Sequence, residues 1–155
     1  MTTPVTTCKR PESVLVVVSH QQREILLLER CHPEGFWQSI TGSLEWDEQP
    51  IEAAKRELYE ETGIHTESLT DCHKTFQFPI HPEWKKFYAD DVSSNTEHVF
   101  MLDMSTRPEV TLNQKEHVRY KWLDREMAAA KVFSWTNREV IENLTEYLKL
   151  VETTI

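Results

Sequence analysis

The stretch from Gly42 to Ile64 decides how this sequence folds. It begins with Gly42-Ser-Leu-Glu-Trp-Asp-Glu48 and ends with Arg56-Glu-Leu-Tyr-Glu-Glu-Thr-Gly-Ile64. Between these two parts, Pro50 stands where the first turn of a helix favours proline, and Gly63 suits the C-terminal cap. The segment therefore predicts a loop followed by a helix over 50–61.

Three glutamates of this helix lie on one side of it. At 3.6 residues per turn, Glu57, Glu60 and Glu61 share an arc of about 100°. Like charges this close repel one another, so a cation is expected among them. Oxygen ligands without His or Cys favour Mg²⁺, with Mn²⁺ as the alternative, over Zn²⁺. The simpler interpretation is a solvent-exposed acidic face that pairs with Lys55 and Arg56.

The spacing of the fixed residues adds a second argument. The segment satisfies the pattern G-x5-E-x7-R-E-U-x-E-E-x-G-U, where U is aliphatic, at every fixed position. This pattern resembles the Nudix box. The resemblance implies a Nudix fold, an α/β/α sandwich with a mixed β-sheet between helices, and a metal-dependent hydrolase of nucleoside diphosphates linked to another group. It also implies that Glu57, Glu60 and Glu61 hold the metal and that Arg56 pairs with Glu48.

Segments outside the box narrow the resemblance within the family, and they extend it from about Lys9 to Glu142. They are Lys9-Arg-Pro11, Phe36-Trp-Gln-Ser-Ile-Thr-Gly-Ser43, Asn95-Thr-Glu97, Glu116-His117, Tyr120-Lys-Trp-Leu-Asp124 and Ser134-Trp-Thr-Asn-Arg138. They are similar to the bacterial branch of the family that converts dihydroneopterin triphosphate to the monophosphate and pyrophosphate in folate biosynthesis. The resemblance also implies side activity on nucleoside triphosphates such as dATP.

The same resemblance implies further site residues. Glu116 becomes a fourth metal ligand, and Phe78 becomes the preferred candidate for stacking on the pterin ring. The implied substrate contacts are Lys9, Arg30, Thr41, Phe78, Pro79, Ile80, His81 and Ser134. Each has a simpler interpretation, such as a solvated charge for Lys9 or Arg30 and a helix cap for Ser134.

Some roles stay open. The general base is Glu60, Glu116 or a metal-bound hydroxide, and His117 either helps catalysis or starts a strand. Two other functions fit the same residues. One is a general Nudix hydrolase of dNTPs, damaged nucleotides or dinucleoside polyphosphates. The other is a non-catalytic Nudix module that senses a nucleotide or binds a protein. Such a module is expected to have lost carboxylates of the box helix, whereas all three are present here.

The composition limits the possible partners. The 155 residues predict one domain over 1–155, and 17 Lys+Arg against 26 Asp+Glu give a net charge of −9. This charge argues against a nucleic-acid polymer or an anionic membrane as partner, and we expect a small triphosphate and a monomeric protein. Three cysteines without a CxxC spacing, and the lack of a signal-like or membrane-spanning apolar run, predict a cytoplasmic protein.

Apolar periodicity predicts the remaining elements. Two buried strands over 13–18 and 25–29 should form a hairpin. Further extended segments are predicted over 36–41, 64–80, 97–104 and 117–123, with a long polar loop over 82–95. Apolar residues at helical spacing over 140–151 predict a final helix, and Thr136 and Glu139 are spaced as its capping box. Mixed strands with two principal helices predict an α/β sandwich.

Overall fold

The computed structural model describes residues 8–153, with side chains as far as Lys149. Within these residues the chain forms a mixed sheet of seven strands. The strands are β1 (Glu12–His20), β2 (Glu24–Arg30), β3 (Trp37–Gln38), β4 (Ile40–Ser43), β5 (Thr70–Pro79), β6 (Ser94–Met104) and β7 (His117–Asp124). The order is β3-β2-β1-β6-β5, with β4 paired to β1 and β7 to β2. Strands β1 and β6 are parallel, and the other pairs are antiparallel.

Helices cover both faces of this sheet. They are α1 (Pro50–Thr62), α2 (Arg125–Lys131), α3 (Trp135–Glu142) and α4 (Leu144–Thr153). Alternate residues of β1 point to opposite faces. Val14, Val16 and Val18 belong to the apolar cluster that contains α1 residues, whereas Leu15 and Val17 belong to the cluster that contains α2, α3 and α4 residues. The predicted α/β/α sandwich is confirmed.

Helix α1 begins where its sequence predicts, at Pro50, and ends one residue later than predicted, at Thr62. Pro50 occupies the first turn, and the backbone N–H of Gln49 donates to the Glu52 carboxylate at 2.9 Å. Gly63 follows the helix with a φ of +77°, and its N–H donates to the Tyr59 carbonyl at 2.8 Å. A residue with a side chain would be strained at this φ, so glycine ends the helix here.

The strand predicted over 36–41 is interrupted. The backbone N–H of Ser39 donates to the side chain of Asn137 at 2.9 Å, so β3 and β4 are separate strands. Gly42 lies inside β4 instead of ending it. The extended segment predicted over 64–80 forms a strand only from Thr70 onwards.

The C-terminal helical region also differs from its prediction. It divides at Asn143, whose side chain donates to the Glu139 carbonyl at 2.8 Å. The predicted capping box is wrong, because Ser134 precedes α3 and its Oγ accepts from the Asn137 N–H at 3.4 Å. The sequence does not predict helix α2, because its run of three alanines lacks a clear apolar periodicity.

The hairpin of β1 and β2 is confirmed. Among the described helices, none has both the length and the apolar character needed to cross a membrane. Cys8, Cys31 and Cys72 are free thiols. The single domain over 1–155 stays a prediction, and residues 1–7 and 154–155 lie outside the described residues.

Candidate active site

An acidic cluster forms where α1 meets the start of β7. Glu61, Glu116 and His117 each offer a ligand atom, and these three atoms lie within 4.8 Å of one another. The side chains of Glu61 and His117 are each 2% exposed, with His117 Nε2 3.5 Å from Glu61 Oε1. Glu57, one turn before Glu61, lies close enough for its negative charge to raise the pKa of the Glu61 carboxyl group. We call Glu57, Glu61, Glu116 and His117 the acidic cluster.

Burial and like charge both disfavour the ionised forms of Glu57 and Glu61. Burial raises the pKa of Glu61 well above its usual value, and the negative charges of Glu57 and Glu116 raise it further. Burial also raises the pKa of Glu57, although Arg56 opposes this change. A cation among the carboxylates would offset both causes, because opposite charge stabilises the ionised form.

Unpartnered atoms in the cluster point to the same conclusion. Among the described residues, Glu61 Oε2 and both ring nitrogens of His117 have no hydrogen-bond partner. Burial, and then the charge of Arg30, lowers the pKa of His117 to about 4, so its imidazole is neutral at pH 7. Several carboxylate oxygens and a neutral imidazole nitrogen are suitable ligands for a divalent cation, so the cluster fits one.

Arg56 connects the box loop to the helix. Its guanidinium donates to Glu48 at 2.7 and 2.8 Å, to Glu57 at 2.8 Å and to the Ser43 carbonyl at 3.1 Å. The pair between Arg56 and Glu48 that the resemblance implies is therefore present. Through the bond to Glu57, Arg56 also fixes the orientation of a cluster carboxylate.

Gly42 is needed because the Glu57 side chain lies against its backbone. A Cβ atom added at Gly42 would come within 2.1 to 2.5 Å of the Glu57 side chain, including its carboxyl group. Such distances are far inside van der Waals contact. The first residue of the box is thus a glycine for steric reasons.

Glu60 lies at the edge of the cluster rather than within it. Its side chain is 52% exposed and pairs with Arg56 at 3.4 Å. Like Glu57, it is not one of the three described residues whose ligand atoms lie within 4.8 Å of one another. Its role as a metal ligand stays a prediction.

The residues implied as substrate contacts fall in separate places. Arg30 lies beside the acidic cluster, because it is the cross-strand partner of His117 on β2, and its guanidinium lies 5.6 Å from the Phe36 ring centre. Thr41 pairs with Leu15 and so faces the opposite side of the sheet from Gly42. Ser134 is the N-cap of α3.

The other implied substrate contacts surround the 82–95 loop. Phe78 and Pro79 end β5, followed by Ile80 and the exposed His81. Lys9 is exposed, and its backbone N–H donates to the Phe87 carbonyl at 2.7 Å, which ties the segment before β1 to the loop. The loop contains a 3₁₀ turn at Lys85–Phe87.

Sequence reasoning missed one buried carboxyl group. Glu97 on β6 is 6% exposed, and burial raises its pKa. In the sequence it belongs to the segment Asn95-Thr-Glu97, which carries the family resemblance but predicts no role for Glu97. The alternation of β6 was the available signal, because it places Glu97 on the same face as the apolar Val99 and Met101.

The structure combines a loop–helix segment with a candidate divalent-cation site within an α/β/α sandwich. Residues 9–144 match the NUDIX domain, and the chain belongs to this family as a Nudix hydrolase. It is 42% identical over 139 residues to dihydroneopterin triphosphate diphosphatase of Escherichia coli strain K12, covering 86% of this chain and 91% of that protein. It is 32% identical over 139 residues to the enzyme of the same name from Haemophilus influenzae, covering 86% and 87%.

A solved structure agrees with these sequence relatives. The E. coli dihydroneopterin triphosphate pyrophosphohydrolase superposes with a TM-score of 0.79 at 40% identity. The match covers 88% of this chain and 96% of that one. The Nudix fold expected from the box is therefore confirmed over most of the chain.

Proposed function

We propose that this Nudix hydrolase converts dihydroneopterin triphosphate to dihydroneopterin monophosphate and pyrophosphate, with nucleoside triphosphates such as dATP as side substrates. The observation that carries the proposal is the 42% identity over 139 residues to the E. coli enzyme that bears this activity in its name. The free cysteines favour a cytoplasmic enzyme, and we propose a monomer that binds no nucleic-acid polymer and no membrane.

The divalent cation would be held by Glu57, Glu61 and Glu116. Glu60 lies at the edge of this group, and His117 lies beside it. Mg²⁺ is the proposed ion because oxygen atoms dominate this donor set, and Mn²⁺ is the alternative. When bound, the cation neutralises phosphate charge and favours attack on phosphorus by water. These metal contacts are proposals that rest on the geometry of the acidic cluster.

The chain's own residues account for the remaining steps. Arg30, the cross-strand neighbour of His117, would bind phosphate oxygens by charge-assisted hydrogen bonds. Water attacks the α-phosphorus, the bond from this phosphorus to the bridging oxygen breaks, and pyrophosphate leaves. The proton of the water passes to a carboxylate, for which Glu60 and Glu116 are the candidates. Arg56 is a positioning residue, because it acts through Glu57.

The proposed function is tested by measuring kcat/KM side by side on dihydroneopterin triphosphate, dATP and the other dNTPs. The expected result is a preference for the pterin substrate, with pyrophosphate as product and with activity abolished by EDTA. A preference for dNTPs, or release of orthophosphate, would support the general Nudix hydrolase instead. Ligand binding without turnover on any of these substrates would support the non-catalytic module. Light scattering on the same sample tests the monomer.

A further inference from the structure

Glu97 is a buried carboxyl group that the proposed chemistry does not use. It lies on the face of the sheet that α3 covers, and Thr136 of α3 hydrogen bonds to it. Its Oε1 atom has no partner among the residues that the structure describes. A buried carboxylate oxygen without a donor is unfavourable, so a donor from outside the chain is expected to bind there.

The surroundings of Glu97 indicate the charge of that missing donor. Its cross-strand neighbours are Ser13 on β1 and Phe76 on β5. Asn95, two residues earlier on the same face, donates from its side-chain amide to Ser13 Oγ at 2.8 Å. These neighbours are uncharged, and Lys74, whose Nζ lies 5.1 Å from the Phe76 ring centre, adds a positive charge nearby, in contrast to the carboxylates around Glu61. The site therefore does not concentrate negative charge for a cation, and a neutral N–H donor suits it better.

Aromatic rings connect Glu97 to the surface. Phe76 is buried and lies edge-on to Trp135, with ring centres 5.6 Å apart, and Trp135 is 56% exposed. Phe78, two residues after Phe76, pairs with Asn95 and so lies on the same face of the sheet as Phe76 and Glu97. Its side chain is half-buried. Such rings favour a flat heterocycle, which gains contact by stacking or edge-to-face packing.

The position of Glu97 relative to the acidic cluster suits two ends of one ligand. Ser13 pairs with Glu97, and the next residue, Val14, pairs with Gly42, against which Glu57 lies. Strands β6, β1 and β4 are neighbours, so the backbones of Glu97 and Gly42 are about two strand spacings, roughly 10 Å, apart. Because the Glu97 and Glu57 side chains lie on opposite faces of the sheet, a ligand with its triphosphate at the cluster would reach Glu97 by passing around the end of the sheet where β1 begins and β4 ends.

We infer that the Glu97 carboxylate is a specificity-determining residue that accepts hydrogen bonds from adjacent ring N–H and amino groups of a 2-amino-4-oxopyrimidine ring. This inference rests on the proposed function, because dihydropterin has this ring edge. Guanine presents the same edge, whereas hypoxanthine lacks the amino group. A carboxylate that accepts two parallel N–H groups discriminates strongly against a ring that supplies only one.

The experiment compares dGTP with dITP, which differ only in the 2-amino group, as substrates or as competing inhibitors. The parent protein is expected to prefer dGTP by about 10-fold to 100-fold in kcat/KM or inhibition constant. In Glu97→Gln this preference should fall to about threefold or less, with the change in KM rather than in kcat. Glu126→Gln, which alters an exposed carboxylate on α2, is the matched control and should keep the parent preference.

The outcomes separate the inference from the proposed function. Equal use of dGTP and dITP by the parent overturns the role of Glu97, and this measurement requires no variant to fold. A folded Glu97→Gln variant that keeps the parent preference also overturns it, while hydrolysis of dihydroneopterin triphosphate by the parent leaves the proposed function standing. Conversely, a parent that prefers dGTP and loses this preference in the variant supports Glu97 even if it does not hydrolyse the pterin substrate.

Discussion

Glu61 and Glu97 are buried on opposite faces of one sheet, and they differ in their neighbours more than in their exposure. Glu61 is 2% exposed and Glu97 is 6% exposed, and burial raises the pKa of both. Glu57 and Glu116 raise the pKa of Glu61 further, whereas the hydrogen bond with Thr136 lowers that of Glu97. For residues of one type, almost equally buried, we therefore propose a cation at one site and neutral donors at the other.

The largest effect is expected for Glu61→Gln. Glutamine keeps the shape but removes the charge, so the fold should persist while kcat at saturating Mg²⁺ falls by at least about 100-fold. Steady-state kinetics with circular dichroism measures both quantities. Glu67→Gln is the control, because this carboxylate is 81% exposed and its ion pair among the described residues is with Lys55 at 3.3 Å. Near-parent turnover in Glu61→Gln would exclude Glu61 as a metal ligand and remove the contrast with Glu97.

A smaller loss is expected for Gly42→Ala, which acts on the same site through sterics. The new methyl group displaces the Glu57 side chain, and misplacement of a cluster carboxylate should lower kcat by up to about 100-fold. The melting temperature should change little, because the displaced atoms belong to the end of a side chain. The double variant with Glu57→Gln tests the cause. The double variant should be no less active than Glu57→Gln alone. If its loss of kcat equals the product of the two single losses, Gly42→Ala does not act through Glu57.

The pH dependence of stability tests the buried carboxyl groups of both sites without kinetics. The pKa values of Glu57, Glu61 and Glu97 are raised in the folded state, so the folded protein binds protons more tightly than the unfolded chain. Their contribution therefore weakens as pH rises from the usual value near 4.5 through the raised values. In EDTA we expect the melting temperature to fall over this range, by about 2–4 °C for each kcal/mol lost.

Added Mg²⁺ should reverse only that part of the fall in melting temperature that comes from the acidic cluster. At pH 7 the ion is expected to raise the parent's melting temperature, because it binds the folded state alone. In Glu61→Gln this increase should be lost, while the pH-dependent contribution of Glu97 remains. An equal Mg²⁺ effect in parent and variant would show that the ion binds elsewhere.

The sequence predicts the acidic cluster better than the Glu97 site, and the reason is the range of the contacts. Helix α1 depends on local signals, from Pro50 at its start to Gly63 at its end. The break at Ser39 depends on Asn137, which is 98 residues away, and no local pattern reveals it. Glu116 was assigned by family resemblance, and the unmet hydrogen bond of Glu97 becomes visible only after α3 is placed on the sheet.

The smallest effect is expected at the cap of α3, beside Glu97. Ser134 Oγ accepts from the Asn137 N–H at 3.4 Å and bonds to the Thr136 hydroxyl at 2.8 Å, so Ser134→Ala should cost about 0.5–2 kcal/mol of unfolding free energy. Because this hydroxyl is engaged within the protein, KM should rise by less than about fivefold. Ser134→Asn restores a capping side chain and should recover the stability, as denaturant unfolding would show. A much larger KM with unchanged stability would instead establish the substrate contact that the resemblance implies, and would extend the ligand site from Glu97 to the end of α3.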